Sequence, residues 1–224
     1  MTSFEVLQLS NYLQWFGSFS IVFSAILVLR LRVTKEILII AIYGANSFLA
    51  QSIQTGFVYF KGIQYLNVVG NIYVLTETVV LLYLFYVVTS NKVFRYLILV
   101  FALGFTIFWL IVFSNDPAIN SASYRTIRDV LMIVCSLEYF FFLLKYLPED
   151  NLIKLPMFWV ASGILFFFSC TFMLSLTQDY IREIMKNDFG TFWTFRNLLR
   201  AFFCVVICIG IWKARVLSKR AELT

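Results

Sequence analysis

Long apolar stretches fill almost the whole chain, and only a few charged, Asn, Gly or Pro residues separate one stretch from the next. Each stretch is about twenty residues long, the length that an α-helix needs to cross a bilayer at ~1.5 Å of rise per residue. We therefore predict an all-α, polytopic integral membrane protein with a single transmembrane domain over residues 1–224. The pattern predicts seven transmembrane helices, at roughly 10–31, 36–58, 65–88, 93–113, 122–146, 156–179 and 190–214.

The composition agrees with this pattern. The chain is 61% hydrophobic and 13% charged, whereas about a quarter of the residues of a soluble domain are charged. Seven spans use up nearly all of the 224 residues, so any activity must be housed in the helix bundle or its short loops. The net charge of +6 comes from basic residues at segment ends. This distribution favours contact with the lipid bilayer and predicts no nucleic-acid partner.

The basic residues also predict an orientation. Lysines and arginines gather at one set of segment ends: Arg30, Arg32, Lys35, Lys92, Arg95, Lys145, Lys154, Lys213, Arg215, Lys219 and Arg220. By the positive-inside rule these ends face the cytoplasm, so we expect the N-terminus outside and the C-terminus in the cytoplasm. The first residues lack the basic region that opens a signal peptide, so we expect the first span to be retained.

One arginine lies where a charge is costly. Arg200 is about ten residues into the last span, near the middle of the bilayer, where an unpaired arginine costs about 2.5–3.5 kcal/mol or more. Glu77 lies at a similar depth in the third span, and Glu138 lies in the cytoplasmic half of the fifth. We expect Glu77, Glu138 and neighbouring amides to be the partners of Arg200.

The polar residues inside the predicted spans allow two interpretations. In the structural one, Glu77 and Arg200 form a buried ion pair, supported by Asn46 and Asn71, that fixes which helices touch. In the functional one, the outer polar residues line a pocket that opens to the outside and binds a polar or anionic ligand. Near the outer end of the fifth span, Arg125 and Asp129 can pair at i,i+4. The predicted ligand-binding or polar centre comprises Asn46, Gln54, Asn67, Asn71, Glu77, Arg128, Glu138, Gln178, Arg196, Asn197 and Arg200.

Several chemistries conflict with the residues present. The chain has no histidine, which argues against a histidine-ligated zinc hydrolase and against a Ser/His nucleophile pair. The last span has no lysine in its middle, where a retinal Schiff base would form. We therefore predict no catalytic residues, no metal site, no cofactor and no enzymatic activity.

A third span with a glutamate in mid-helix, a fifth with Leu-Glu before an aromatic run, and a sixth that opens 156-PMFWVASGILFFFSCTFML-174 form a recognisable pattern. It resembles the seven-helix N-terminal regions that precede some bacterial sensor histidine kinases. The resemblance implies a sensor in the bacterial cytoplasmic membrane whose last helix continues into a cytoplasmic signalling helix. This sequence ends at 213-KARVLSKRAELT-224, so we expect either a stand-alone version that signals through a separate partner or a fragment.

The leading hypothesis is a non-enzymatic membrane sensor or regulatory protein. Its outward-facing pocket would read a polar or anionic ligand, and the seventh helix would report binding to a cytoplasmic or membrane partner. Two alternatives stay open. One is a small transporter or channel for an anion or polar solute, and the other is a membrane assembly subunit.

Overall fold

A computed structural model describes residues 3–29, 34–59, 65–117, 122–146, 151–184 and 189–221. The side chains at several helix ends, including those of 178–184 and 189–193, fall outside this description. Within the described residues the fold is all-α, with seven α-helices and one short 3-10 turn at Leu152–Lys154. The helices are α1 (Ser3–Leu29), α2 (Lys35–Tyr59), α3 (Leu66–Val88), α4 (Lys92–Asn115), α5 (Ala122–Tyr146), α6 (Pro156–Ile184) and α7 (Phe189–Ala221).

These helices coincide with the seven predicted segments, and the largest differences are at their ends. α7 has 33 residues and ends at Ala221, whereas the sequence predicts an end near residue 214. The apolar pattern marks only the part of a helix that can lie in hydrocarbon, and a helix continues into polar residues wherever its backbone hydrogen bonds continue. Local sequence explains two of the starts. Asn91 Oδ1 accepts from the Val93 amide over 3.1 Å at the start of α4, and Pro156 occupies the first position of α6.

Five of the helices are long and apolar enough to cross a membrane: Lys35–Phe57, Leu66–Val88, Lys92–Asn115, Pro156–Thr177 and Thr194–Val216. This composition indicates membrane association. The described apolar stretch of α1 is shorter, at Tyr12–Ile26. α5 carries Arg125, Arg128 and Asp129, which lower its hydropathy, but all three side chains are buried against other helices.

The helices form a ring. α1 packs on α2 and α7, α2 on α3, and α6 on both α5 and α7, while contacts between α3 and α5 close the ring. α4 lies outside it, against α3 and α5. Helices that follow one another in the chain alternate in direction. Along α1, Trp15, Ser18 and Ile21 contact Ser52, Ser47 and Gly44 of α2 in turn, so the two helices run in opposite directions.

Alternation brings the starts of α2, α4 and α6 together with the ends of α1, α3, α5 and α7. We call this end, which carries Lys35, Lys92, Lys154 and Lys213, the basic end, and the opposite one the far end.

Aromatic packing fills the middle of the ring. Phe167 of α6 and Phe203 of α7 stack with ring centroids 4.9 Å apart, and Tyr43 of α2 meets Phe203 edge-on at 6.0 Å. Gly44 lets α1 and α2 approach closely, since a Cβ there would lie 2.6 Å from Ile21 Cγ2. The polar residues of the far half pack against this aromatic layer.

Candidate functional site

Glu77 of α3 is the central residue of a buried ion-pair cluster. Its side chain is 0% exposed. Arg128 Nη1 of α5 donates to Glu77 Oε2 over 2.9 Å, and Arg200 Nη1 of α7 donates to Oε1 over 2.6 Å. The expected pairing of Glu77 with Arg200 is therefore present, and one carboxylate joins three helices.

Two tyrosines complete the shell of donors around this carboxylate. Tyr43 Oη donates to Glu77 Oε1 over 3.2 Å, and Tyr73 Oη donates to the same oxygen over 2.8 Å. Tyr73 lies four residues before Glu77, so both side chains are on one face of α3. Because a buried carboxylate costs free energy unless its lone pairs are occupied, this set of donors explains how the charge is tolerated.

Arg200 Nη2 has hydroxyl partners where the sequence suggests amides. It donates to Ser47 Oγ over 3.2 Å and to the Tyr73 hydroxyl, and Ser47 Oγ also lies 2.9 Å from Ser18 Oγ of α1. Tyr43 and Ser47 are four residues apart on α2 and face the cluster together, whereas the intervening Asn46 points to a neighbouring face. Among the described residues, the hydrogen bonds of Arg200 therefore go to a carboxylate and to hydroxyls, and not to the amides that the sequence suggests.

Aromatic rings surround the guanidinium of Arg200. Its Cζ lies over four ring centroids, namely those of Tyr43 at 5.5 Å, Tyr73 at 5.4 Å, Phe167 at 5.3 Å and Phe203 at 5.8 Å. Ring faces attract cations, most strongly when water is excluded. The aromatic layer of the fold thus stabilises the same charge that Glu77 neutralises.

Asp129 supplies the second carboxylate. Arg128 donates to its Oδ1 from Nε over 2.9 Å and from Nη2 over 2.7 Å, and Ser175 Oγ of α6 donates to Oδ2 over 3.0 Å. Both Asp129 oxygens therefore have donors other than Arg125, the partner that i,i+4 spacing suggests. Arg128 is long enough to fold back over the adjacent residue, so the spacing rule fails here.

Arg125 is the least satisfied charge of this region. Its side chain is 5% exposed and its Cζ lies 5.9 Å from the ring centroid of Tyr124. Among the described residues, its Nε and Nη1 have no hydrogen-bond partner. Arg196 of α7 interacts electrostatically with both Arg125 and Arg128, so positive charge accumulates on this side of the cluster.

Among the described side chains, the charges divide unevenly. Two arginines, Arg128 and Arg200, form ion pairs with the two carboxylates of Glu77 and Asp129. Arg125 is buried beside them without an ion pair in the described part of the chain. Buried charges are normally paired, so this arrangement is suited to receive a further negative group.

Asn71 belongs to a neighbouring hydrogen-bond network. Its Nδ2 donates to the Pro117 carbonyl over 2.9 Å, its Oδ1 accepts from the Tyr124 hydroxyl, and its carbonyl accepts from Trp109 Nε1 over 3.1 Å. These bonds tie α3, α4 and α5 together at the far end. Asn71 therefore has structural partners on α4 and α5.

Three other candidates lie along α2 and α3 outside the cluster. Asn46 Oδ1 accepts from Thr76 Oγ1 over 3.1 Å, while its buried Nδ2 has no hydrogen-bond partner among the described residues. Gln54 is half-buried near Gly70, where a Cβ would lie 3.5 Å from its Nε2. Asn67 is exposed.

The remaining candidates divide between the two ends. Glu138 is half-buried near the basic end, and its Oε1 accepts from Asn91 Nδ2 over 3.5 Å. It is therefore not the partner of Arg200 that the sequence suggests, because it lies more than two helical turns beyond Arg128 on α5. Asn197 is buried at 4% exposure, and the side chain of Gln178 lies outside the described residues.

Sequence reasoning missed several members of the cluster because it weighed charge and amides above hydroxyls. Spacing of four residues, as in Tyr43 with Ser47 and Tyr73 with Glu77, could have found them. The missed members are the hydroxyl-bearing residues Tyr43, Ser47, Tyr73 and Ser175. Asp129 also belongs to the cluster, although the i,i+4 spacing pairs it with Arg125.

A scan of protein-family models found no match to the chain, and searches of curated proteins and of solved structures found none either.

Proposed function

We propose that the chain is a non-enzymatic membrane sensor that binds an anion beside Arg125 and reports it through α7. The observation that carries this proposal is the guanidinium of Arg125. It is 5% exposed, its Nε and Nη1 have no hydrogen-bond partner among the described residues, and it interacts electrostatically with Arg128 and Arg196. Such a group raises the free energy of the empty state, and a negative ligand would lower it. Ligand binding would therefore be favoured by an interaction that the protein alone does not make.

The ion-pair cluster supplies a route from the ligand to α7. Glu77 is shared between Arg128 of α5 and Arg200 of α7. An anion beside Arg125 also attracts Arg128, which weakens the hold of Arg128 on Glu77 Oε2. The carboxylate is then left more fully to Arg200, so the contacts of α7 with α3 change. A ligand shifts an equilibrium only through such differential contacts.

The location and partner are part of the proposal. We infer that all seven helices span the membrane, with the far end outside and the basic end in the cytoplasm, and that the membrane is the bacterial cytoplasmic membrane. The basic charges at one end support this orientation. A cytoplasmic signalling partner would contact the end of α7, as the resemblance to sensor histidine kinases implies.

Anion-dependent melting tests the sensor proposal. The purified chain in nanodiscs is heated with sulfate, phosphate or acetate, and gluconate keeps the ionic strength constant. We expect at least one of the three anions to raise the melting temperature of the wild type, and Arg125→Gln to abolish the rise. Arg95→Gln is the matched control, because Arg95 lies at the basic end and donates to the Thr89 carbonyl over 2.6 Å.

The sensor proposal fails if none of these anions raises the melting temperature, or if Arg125→Gln responds as the wild type does. A response that Arg95→Gln removes equally would reflect general charge and would also count against it.

Transport is the second candidate, favoured by the position of the Glu77–Arg200 pair in the middle of the ring. A pair of this kind can open and close around a passing anion. Flux of the same anions into proteoliposomes distinguishes the two functions. A flux that Glu77→Gln abolishes would support transport, and binding without flux would support sensing.

A further inference from the structure

A cavity of about 440 Å³ lies at the basic end, on the other side of the aromatic layer from the arginines. The start of α2, the end of α5, the start of α6 and the end of α7 enclose it. Its volume falls in the range of about 300–1,000 Å³ that small-molecule sites occupy. Its principal walls are Ile37, Ile40, Val160, Gly210, Ile211 and Ala214.

The principal walls are aliphatic side chains that are buried in the bundle. Ile37, Ile40, Val160 and Ile211 line the cavity and are each at most 5% exposed, so they are shielded from the surroundings of the bundle. Of the polar members, Thr34 is exposed and Glu36 is half-buried at the start of α2, whereas Tyr139 of α5 is buried. The cavity thus has an apolar interior and a polar mouth at the end of the bundle.

Small residues on α7 shape one wall. At Gly210 α7 touches α6: a Cβ there would lie 2.9 Å from Val160 Cγ2 and 3.0 Å from the Pro156 carbonyl oxygen. One turn later Ala214 presents only a methyl group, and the space opens beside it. The cavity follows from this succession of a tight contact and a short side chain.

The cavity is partly open to the outside of the bundle, and its accessible lining is almost entirely apolar. Apolar surroundings hold water poorly and take up apolar guests. A guest that is apolar along its length and polar at one end matches both the walls and the mouth.

We propose that this cavity binds one alkyl chain, with the polar head of the guest at Thr34 and Glu36. The chain comes from a bilayer lipid or from a separate single-chain amphiphile, and the chemistry of the bound part is the same. The site is independent of the anion proposed above, although α7 contributes to both. Gly210, Ile211 and Ala214 would contact the chain directly.

Photolabelling tests this proposal on the full chain in phosphatidylcholine nanodiscs. The probes are 1-dodecanol and phosphatidylcholine, each carrying a diazirine in the middle of the alkyl chain, and mass spectrometry locates the labelled residues. We expect label on Ile40, Val160 and Ile211, which bulk lipid does not reach. Leu99 of α4, 45% exposed, reports labelling by bulk lipid in the same sample.

Two variants fill the cavity. Ala214→Phe and Ile40→Phe should each reduce labelling of Ile211 by about tenfold, because a ring takes the space of the guest. Val205→Phe is the matched control on α7, since Val205 is 57% exposed. Leu99 labelling should stay constant in all three. If one filling variant fails to fold, as judged by gel filtration, the other carries the test.

Labelling of the walls by both probes identifies a lipid tail, and labelling by the alcohol alone identifies a separate amphiphile. Either result supports the site. The proposal is overturned if neither probe labels the buried walls, or if labelling of Ile211 persists in the folded filling variants.

Discussion

The far and basic halves of the ring are built from the same helices but differ in what they leave unsatisfied. In the far half, Glu77 and Asp129 hold two arginines by hydrogen bonds, while Arg125 is buried without an ion pair among the described residues. In the basic half, aliphatic side chains surround about 440 Å³ of space. Among the described residues, the far half lacks a negative charge to pair with Arg125, and the basic half lacks side chains to fill its cavity.

The difference shows how one fold can present two kinds of affinity. A surplus of buried positive charge favours binding of an anion, and an apolar cavity favours binding of an apolar ligand. Tyr43, Phe167 and Phe203 form the aromatic layer between them. Since this layer also holds the guanidinium of Arg200, it excludes the charge from the apolar half.

Removal of Glu77 should have the largest effect on the far half. Glu77→Leu leaves Arg128 and Arg200 with one buried acceptor fewer, and we expect a loss of about 3–5 kcal/mol of unfolding free energy. Glu138→Leu is the matched control, because Glu138 is half-buried and, among the described residues, accepts only a long hydrogen bond of 3.5 Å from Asn91. Denaturant unfolding in mixed micelles, followed by circular dichroism, measures both.

A triple variant sharpens this prediction. Glu77→Leu combined with Arg128→Leu and Arg200→Leu removes the uncompensated charges, so it should be more stable than Glu77→Leu alone. An equal loss in Glu77→Leu and Glu138→Leu, or a triple variant less stable than the single one, would contradict the central position given to Glu77.

Removal of Arg125 should raise the unfolding free energy, whereas removal of Glu77 should lower it. Arg125→Leu eliminates a buried charge without an ion pair in the described region, and we expect the ligand-free protein to gain about 1–3 kcal/mol. The unfolding assay is carried out in gluconate buffer to avoid other anions. A loss of stability comparable to that of Glu77→Leu would mean that Arg125 has a structural partner and is not held ready for a ligand.

Tight packing beside the cavity gives a third prediction. Gly210→Ala places a Cβ 3.0 Å from a backbone oxygen, so the helices must separate, and we expect a loss of about 1–3 kcal/mol. Gly104→Ala is the control on α4, where no atom lies within 4 Å of the new Cβ, and alanine should add about 0.5–1 kcal/mol to helix stability. Unfolding changes of the same sign in both would contradict the close contact of α6 and α7.

The smallest change in unfolding free energy is expected when the single hydroxyl of Ser175 is removed. Ser175→Ala removes the donor to Asp129 Oδ2, and we expect a loss of about 1–2 kcal/mol because the acceptor is charged. Ser162 hydrogen-bonds to its own helix at the Phe158 carbonyl, so Ser162→Ala should change stability by less. Melting curves of the two variants, recorded side by side, check the order, and a reversed order would argue against the α5–α6 hydrogen bond.

The fold could be predicted closely from the sequence because apolar runs of sufficient length have one stable form in a membrane. The centre could be predicted only in part. The depths of Glu77 and Arg200 in their helices match, and a buried charge requires a partner, so their pairing follows from the sequence. The depth of a residue does not show which way its helix faces, so the sequence suggests Glu138 as a partner of Arg200 although Glu138 lies near the basic end.

Hydroxyl groups account for the other differences between the predicted polar centre and the observed cluster. Tyr43, Ser47 and Tyr73 look like ordinary residues of an apolar helix, yet each contacts Glu77 or Arg200. The cavity at the basic end has no sequence signal at all, because its walls are ordinary aliphatic residues. Space between helices depends on how their faces meet, and one-dimensional patterns do not carry that information.

The most direct test of the sensor account is a density map of the chain in nanodiscs prepared with a selenate or bromide salt, in which the heavy anion identifies its own position. We predict an anion within ~3.5 Å of Arg125 Nε or Nη1, with Glu77 still between Arg128 and Arg200. A map that shows Arg125 paired with a carboxylate of the chain, or Arg200 in solvent with Glu77 pointing elsewhere, would contradict the account.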